Sequence, residues 1–188
     1  GLLIKGIDAL EMAHKCDTLV MDKTGTITSG RPRVSHIEII DCEVKEILSI
    51  ASALESESTH PLAYAIHKSW SNVTSEKVNV VDIRTIAGMG LVGKLNDKVV
   101  AIGNKELIEE AGVEISSEID SSLVKASMKG VSIALVSQGS RLLGWIEMSD
   151  RIRESSKLAV KKAKQMGLDV IMLTGDNRYS ADSIANEV

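Results

Sequence analysis

The spacing of apolar residues changes along this chain, and each change marks an expected element. Val44, Ile47, Leu48, Ala51 and Leu54 recur at the three- and four-residue interval of a helix with one buried face. Ile7, Leu10 and Ala13, preceded by Leu2 and Leu3, predict a short helix near the start, with Asp8 placed to cap it. Residues 17–21 and 168–173 are instead short apolar runs, the pattern of strands buried on both faces. Residues 78–87 read as a strand. Residues 91–94 with 98–102, and 131–137 with 141–148, read as two hairpins turned at Asn96-Asp97 and at Gln138-Gly139-Ser140. Further helices are expected from His60-Pro61, over 105–111 and 119–129 before Gly112 and Gly130, and over 154–166 before Gly167.

The two ends and the middle follow different grammars. A helix, an apolar strand, a polar loop and a final helix after residue 153 belong to a parallel α/β sheet, whereas the hairpins between imply an antiparallel one. Two domains follow, the middle one inserted into the other, with crossings near residues 31–33 and 148–151. Arg31-Pro32-Arg33 is a break, because proline fixes its own φ and restricts its predecessor.

Composition narrows the chemistry. There is no Phe, with only two Tyr and two Trp, so the core is aliphatic and a ring-shaped ligand has few stacking partners. The net charge of −4, with both signs interspersed, leaves no footprint for nucleic acid. Cys16 and Cys42 lack metal-ligand spacing and suggest a reducing setting. No apolar run approaches the roughly 18–20 residues of a membrane span. A start at Gly1 and an end at Val188 inside a helix-like stretch suggest an excised piece.

The strongest chemical signal is MDKTGTIT at residues 21–28. In an open parallel sheet, ligands gather beyond the carboxyl ends of the strands. Asp22 and Thr174 each follow such an end. Asp22 can act as a carboxylate nucleophile forming an acyl phosphate. Lys23 and Thr24 offer charge and hydrogen bonds to a phosphoryl group, and Gly25 permits a turn that aims backbone N–H groups at it. Thr174 and the Gly175 amide are placed to bind other oxygens of the same phosphate, with Asp176 following. A single Asp after a strand is usually only a loop or cap residue; the eight-residue string is far more specific. His14, His36 and His67 stand isolated and carry no expected role.

DKTGT with LTGDN at 173–177 resembles the signature pair of P-type ATPases. GLLIKG and the ALE near the start are similar to the stretch that enters the catalytic domain of the heavy-metal-transporting (CPx-type) branch. THPL at 59–62 resembles that branch's SEHPL signature, with Thr59 in place of Glu. The glycine run 87–93 and the Gly103-Asn104 pair resemble its remaining nucleotide motifs. The resemblance covers essentially the whole chain. It implies an α/β, haloacid-dehalogenase-like phosphorylation domain, partial here, over 1–32 and 149–188. Into it is inserted an α+β nucleotide-binding domain over 33–148, built on an antiparallel sheet.

ATP and Mg²⁺ are the implied ligands. Asp22 and Thr24 would contribute to the Mg²⁺ site, with further aspartates in a motif beyond Val188. Glu55, His60, Gly88, Gly90, Gly103 and Asn104 would form the nucleotide site. Glu55 could accept from the adenine amino group, His60 could lie against the purine, and the glycines could let backbone approach closely. Transmembrane and actuator domains of the same polypeptide, at the cytoplasmic face of a membrane, and a transported heavy-metal ion bound elsewhere are the implied partners. Copper is the first expectation for that ion. On this reading the 188 residues alone bind ATP but barely turn it over. Two alternatives stay open: a soluble phosphatase of the haloacid-dehalogenase class, and a nucleotide-binding module without chemistry. Such phosphatases usually carry a second Asp two residues after the nucleophile, where this chain has Thr24.

Overall fold

A computed structural model describes residues 6–74, 76–175 and 178–188. Most of the GLLIKG stretch, and the site candidate Asp176, lie outside them. In chain order the strands are β1 (Thr18–Asp22), β2 (Arg33–Ile39), β3 (Val81–Ile86), β4 (Gly90–Leu95), β5 (Lys98–Gly103), β6 (Ser132–Gln138), β7 (Arg141–Ser149) and β8 (Asp169–Leu173). The helices are α1 (Ile7–His14), α2 (Val44–Leu54), α3 (Pro61–Val73), α4 (Lys105–Glu110), α5 (Ser117–Ser127), α6 (Glu154–Gln165) and α7 (Arg178–Glu187).

The strands form two sheets. β1 and β8 make a parallel pair, in register Asp22 to Leu173. The other six make an antiparallel sheet in the order β2-β7-β6-β5-β4-β3. The turn joining β4 and β5 places Asn96 and Asp97 at φ of 49° and 62°, two successive left-handed residues that match the twist of a tight hairpin. Asn and Asp tolerate that region better than other side-chain-bearing residues.

Alternation along the central strands serves two cores. Val100, Ile102, Val136 and Ile146 join Ile47, Leu48, Ala51, Leu54 and Ile66 of α2 and α3 on one face. Ala101, Leu135 and Trp145 join Leu107, Ile108 and Leu123 of α4 and α5 on the other. The helices therefore form layers on both sides of the antiparallel sheet.

Three expectations need correction, and one strand goes unannounced. Asp8 does not cap α1: Gly6 holds that position without a side-chain bond, and Asp8 sits in the first turn. The apolar runs of β1 and β8 are not buried on both faces. Val20 is 56% exposed and Leu173 63%, because α6 packs against β8 while the other face of this two-stranded sheet is open. The strand expected from residue 78 starts at Val81. Finally, the break at Pro32 runs directly into β2, which the apolar pattern does not predict. Ser35, His36 and Glu38 interrupt its hydrophobicity, and pairing with β7 supplies the order that the pattern lacks.

Candidate active site

Two neighbouring strand ends define the site. Because β1 and β8 run parallel and pair Asp22 with Leu173, the Asp22 loop and the Thr174-Gly175 loop leave the sheet at the same edge. The chain after Asp22 then turns tightly over Lys23–Ile27, with Gly25 at φ 81°. A side chain there would be strained in that backbone conformation.

This turn is held internally. The Gly25 N–H donates to Thr28 Oγ1 at 3.3 Å, and the Thr28 N–H donates to the Lys23 carbonyl at 2.9 Å. The Gly25 amide is thus already committed within the loop. Lys23 is 7% exposed, so the loop presents it less openly than the expectation of a phosphate-facing ammonium implies.

The support of the loop comes from the far end of β7, and the sequence reading missed it. Asp150 accepts from Thr28 Oγ1 and Ser29 Oγ, each at 2.6 Å, and from the Gly30 and Arg31 amides at 2.8 and 3.2 Å. Burial pushes this carboxyl up, but the hydrogen bonds from Ser29, Thr28, Gly30 and Arg31 outweigh burial and hold it below the usual carboxylate range. Arg153 adds bonds to the carbonyls of Thr28 (2.9 Å), Gly25 (3.1 Å) and Ser29 (3.2 Å). Ser156 Oγ donates to the Thr26 carbonyl at 3.2 Å. The two expected crossings therefore lie side by side, fastened to each other and to the loop after Asp22. The available signal was the pair Asp150 and Arg153 directly after a long apolar strand.

A cleft of about 710 Å³ opens beside this loop. Lys23 and Thr24 line it together with His60, Lys129 and Asp150, and Ser180 of α7 closes one side. Thr174 and Gly175 are not among its walls. His60 caps α3, its Nδ1 accepting from the Leu62 N–H at 3.2 Å. A ring that accepts at Nδ1 carries its proton, when neutral, on Nε2.

The remaining nucleotide candidates gather around the β4–β5 pair rather than in the cleft. Gly90 and Gly103 face each other in register. A Cβ on Gly90 would meet the Ile102 carbonyl oxygen at 2.1 Å and the Gly103 Cα at 2.6 Å, so close strand packing already requires glycine there. Gly88, at φ 75°, has open space around it. Asn104 caps α4 by accepting from the Leu107 N–H at 3.0 Å, and its Nδ2 donates to the Gly88 carbonyl at 3.4 Å. Glu55 follows α2, whose Leu54 lies against Gly93 of β4. Its Oε2 is buried and has no hydrogen-bond partner among the described residues.

Cys16 and Cys42 are free thiols. Among the described residues no group of three or more His, Cys, Asp or Glu is arranged to hold a metal ion, and no helix is long and apolar enough to cross a membrane.

A strand-end Asp in DKTGT, a second loop at the neighbouring strand end and an inserted sheet define a class. The chain belongs to the haloacid dehalogenase-like hydrolase family, which residues 16–188 match. The relatives it is similar to are P-type ATPases named for the export or transport of metal ions. It is 38% identical over 188 residues to a probable copper-exporting P-type ATPase of Archaeoglobus fulgidus, covering 100% of this chain and 23% of that protein. Identity to a probable cadmium-transporting ATPase of Staphylococcus aureus (strain MRSA252) is 36% over 194 residues, covering 100% of this chain and 27% of that protein. The crystal structure of a zinc-transporting PIB-type ATPase in its E2.Pi state superposes with a TM-score of 0.74 at 30% identity. That match covers 98% of this chain and 30% of the other. The chain thus spans less than a third of the length of each of these proteins.

Proposed function

We propose that this chain is the ATP-binding and autophosphorylating part of a heavy-metal-transporting P-type ATPase, with Asp22 as the phosphorylated residue. The observation that carries the reading is the register of Asp22 with Leu173, which sets the DKTGT and Thr174-Gly175 loops at one sheet edge. Residues 1–32 and 149–188 form the phosphorylation unit, and 33–148 the nucleotide unit. This division is supported by the parallel pair drawing on the outer segments and the antiparallel sheet on the middle one. Copper is the proposed cargo, the ion named for the relative at 38% identity.

In the proposed reaction an Asp22 carboxylate oxygen attacks the γ-phosphorus of ATP. The bond from that phosphorus to the bridging oxygen breaks, and ADP leaves with the electron pair. Little covalent chemistry falls to the protein beyond the nucleophile, so its task is positioning and charge stabilisation. The bonds that Asp150 and Arg153 make with the backbone and hydroxyls of Gly25 and residues 28–31 keep the loop rigid for that purpose. Asp22 and Thr24 fit a Mg²⁺ that takes most of its oxygen ligands from phosphate and water, as this ion usually does. Bound there, Mg²⁺ would offset phosphate charge. Thr24, where phosphatases of the class place an acid/base Asp, favours a long-lived phosphoenzyme.

For the nucleotide base the support is Glu55: a buried carboxylate oxygen without a partner is an acceptor suited to an amino donor such as that of adenine. Asp22→Asn in the complete protein is the test. It should abolish an acid-stable, hydroxylamine-sensitive phosphoenzyme and leave ATP binding largely intact. Persistence of that label in the variant rejects the assignment.

A further inference from the structure

His67, which the sequence marks as incidental, makes two specific hydrogen bonds. Its Nδ1 lies 2.7 Å from Ser52 Oγ on α2, and its Nε2 lies 3.1 Å from the Glu55 carbonyl oxygen. A carbonyl can only accept, so Nε2 carries the proton, and in the neutral ring Nδ1 accepts from the Ser52 hydroxyl. Both partners belong to the end of α2. The helix stops there without the left-handed glycine that usually closes a C-terminus: Glu55 has φ −84° and ψ 8°. The last carbonyls of a helix need donors from elsewhere. At Glu55 they are the Ser58 N–H, at 3.0 Å, and the His67 ring.

We propose that His67 is a positioning residue for nucleotide-base recognition, fixing the main chain of Glu55 so that its carboxylate stays aimed at an exocyclic amino group. The inference rests on the reading of Glu55 as the adenine acceptor. Glu55 Oε2 is buried and, among the described residues, has no hydrogen-bond partner to hold it. The fixed point from which the side chain extends is the Glu55 main chain. The backbone is held by its N–H bond to Ala51, at 3.1 Å, and by the two donors on its carbonyl. His67 alone among these reaches across from α3, whose first residue follows the cap His60. One helix thus presents His60 at its start and, two turns later, braces the residue that reads the base. Loss of the brace lets the end of α2 fray and costs directional recognition more than general affinity.

Adenine and hypoxanthine separate these effects. ITP replaces the amino donor with a carbonyl oxygen, which a carboxylate repels, and a site built to bond an N–H discriminates against a ligand lacking it. Calorimetric titration of the 188-residue chain with ATP and with ITP is the measurement. His67→Leu should weaken ATP about fivefold, the size of one net hydrogen bond, while ITP binding hardly changes. His67→Gln, which retains an N–H donor, should restore most of the preference for ATP. In a Glu55→Ala background, His67→Leu should have no further effect on ATP. Ser52→Ala removes the outer half of the brace with a smaller disturbance and should lower the ATP to ITP ratio in the same direction. Equal weakening of both nucleotides by His67→Leu and Ser52→Ala, while Glu55→Ala weakens ATP and not ITP, overturns the positioning role. Unchanged ATP binding in Glu55→Ala instead overturns the underlying base-site reading, and the inference with it.

Discussion

The Asp150 carboxylate and the Thr28 hydroxyl meet at 2.6 Å although 122 residues separate them in the chain. This contact fastens the segment that leaves β1 to the segment that leaves β7. It sits directly behind the loop of the proposed nucleophile. Both residues lie beside the places where the chain passes between the parallel pair and the antiparallel sheet, so the clasp holds these passages next to the loop.

Replacing Asp150 tests how much the clasp holds. Asp150→Ala removes an acceptor shared by two hydroxyls and two amides. The Thr28 hydroxyl and Arg31 N–H keep the Lys23 carbonyl and Ser29 Oγ as acceptors, while the Ser29 hydroxyl and Gly30 N–H lose theirs. The expected loss is about 3 kcal/mol, since orphaned donors and a lost charged acceptor both contribute. Asp150→Asn should lose less, because its amide oxygen still accepts. Urea unfolding followed by circular dichroism measures both. A loss under about 0.5 kcal/mol for the Ala variant, the range of ordinary surface substitutions, would show that the clasp is not structural.

The same carboxyl gives stability a defined pH dependence. Burial raises its pKa, the four hydrogen bonds lower it, and the net shift is downward. The folded state therefore holds this proton less readily than the unfolded one. The stabilisation is fully present above the ordinary Asp value of about 3.9. It is lost as pH falls through the folded-state value. Unfolding free energies of the wild type and Asp150→Asn, compared between about pH 6 and pH 3, should converge at the acid end. A difference that stays constant with pH would contradict the assignment.

The glycines near the β4–β5 pair separate packing from ligand approach. Gly90→Ala places a Cβ 2.1 Å from the Ile102 carbonyl oxygen at φ 146°, so both clash and backbone oppose it. The expected loss exceeds about 3 kcal/mol, towards the upper end of single-substitution effects. Gly88→Ala meets open space at φ 75° and should cost only about 1–2 kcal/mol for the left-handed backbone. Thermal unfolding of the two variants ranks them. Equal losses would mean that the Gly90–Gly103 approach relaxes freely.

His60 combines a cap with its proposed ligand role, and substitutions can part them. His60→Ala removes the acceptor for the Leu62 N–H and should cost about 1 kcal/mol of stability. His60→Ser restores a capping oxygen, and stability should largely return. ATP affinity should remain reduced in both variants if the imidazole touches the nucleotide. Recovery of affinity with the cap would make His60 a purely structural residue.

Local patterns alone were enough for much of this protein. Val44 to Leu54 carry a helical period, Asn96-Asp97 tolerate the left-handed turn of a hairpin, and Asp22 and Thr174 follow apolar strand runs; each signal lies within a few residues of what it specifies. Tertiary structure decided what depends on a distant partner. β2 is ordered by β7, more than a hundred residues away, and its own sequence is too polar to announce a strand. Asp150 and Arg153 gain their roles only when their segment returns beside the DKTGT loop. His67 becomes a brace only when α3 folds against α2, because one carbonyl and one hydroxyl from another helix determine which of its nitrogens carries the proton. The exposed faces of Val20 and Leu173 make the same point in reverse: an apolar run expresses a tendency to be buried, and only the packing of neighbouring elements determines whether that burial occurs.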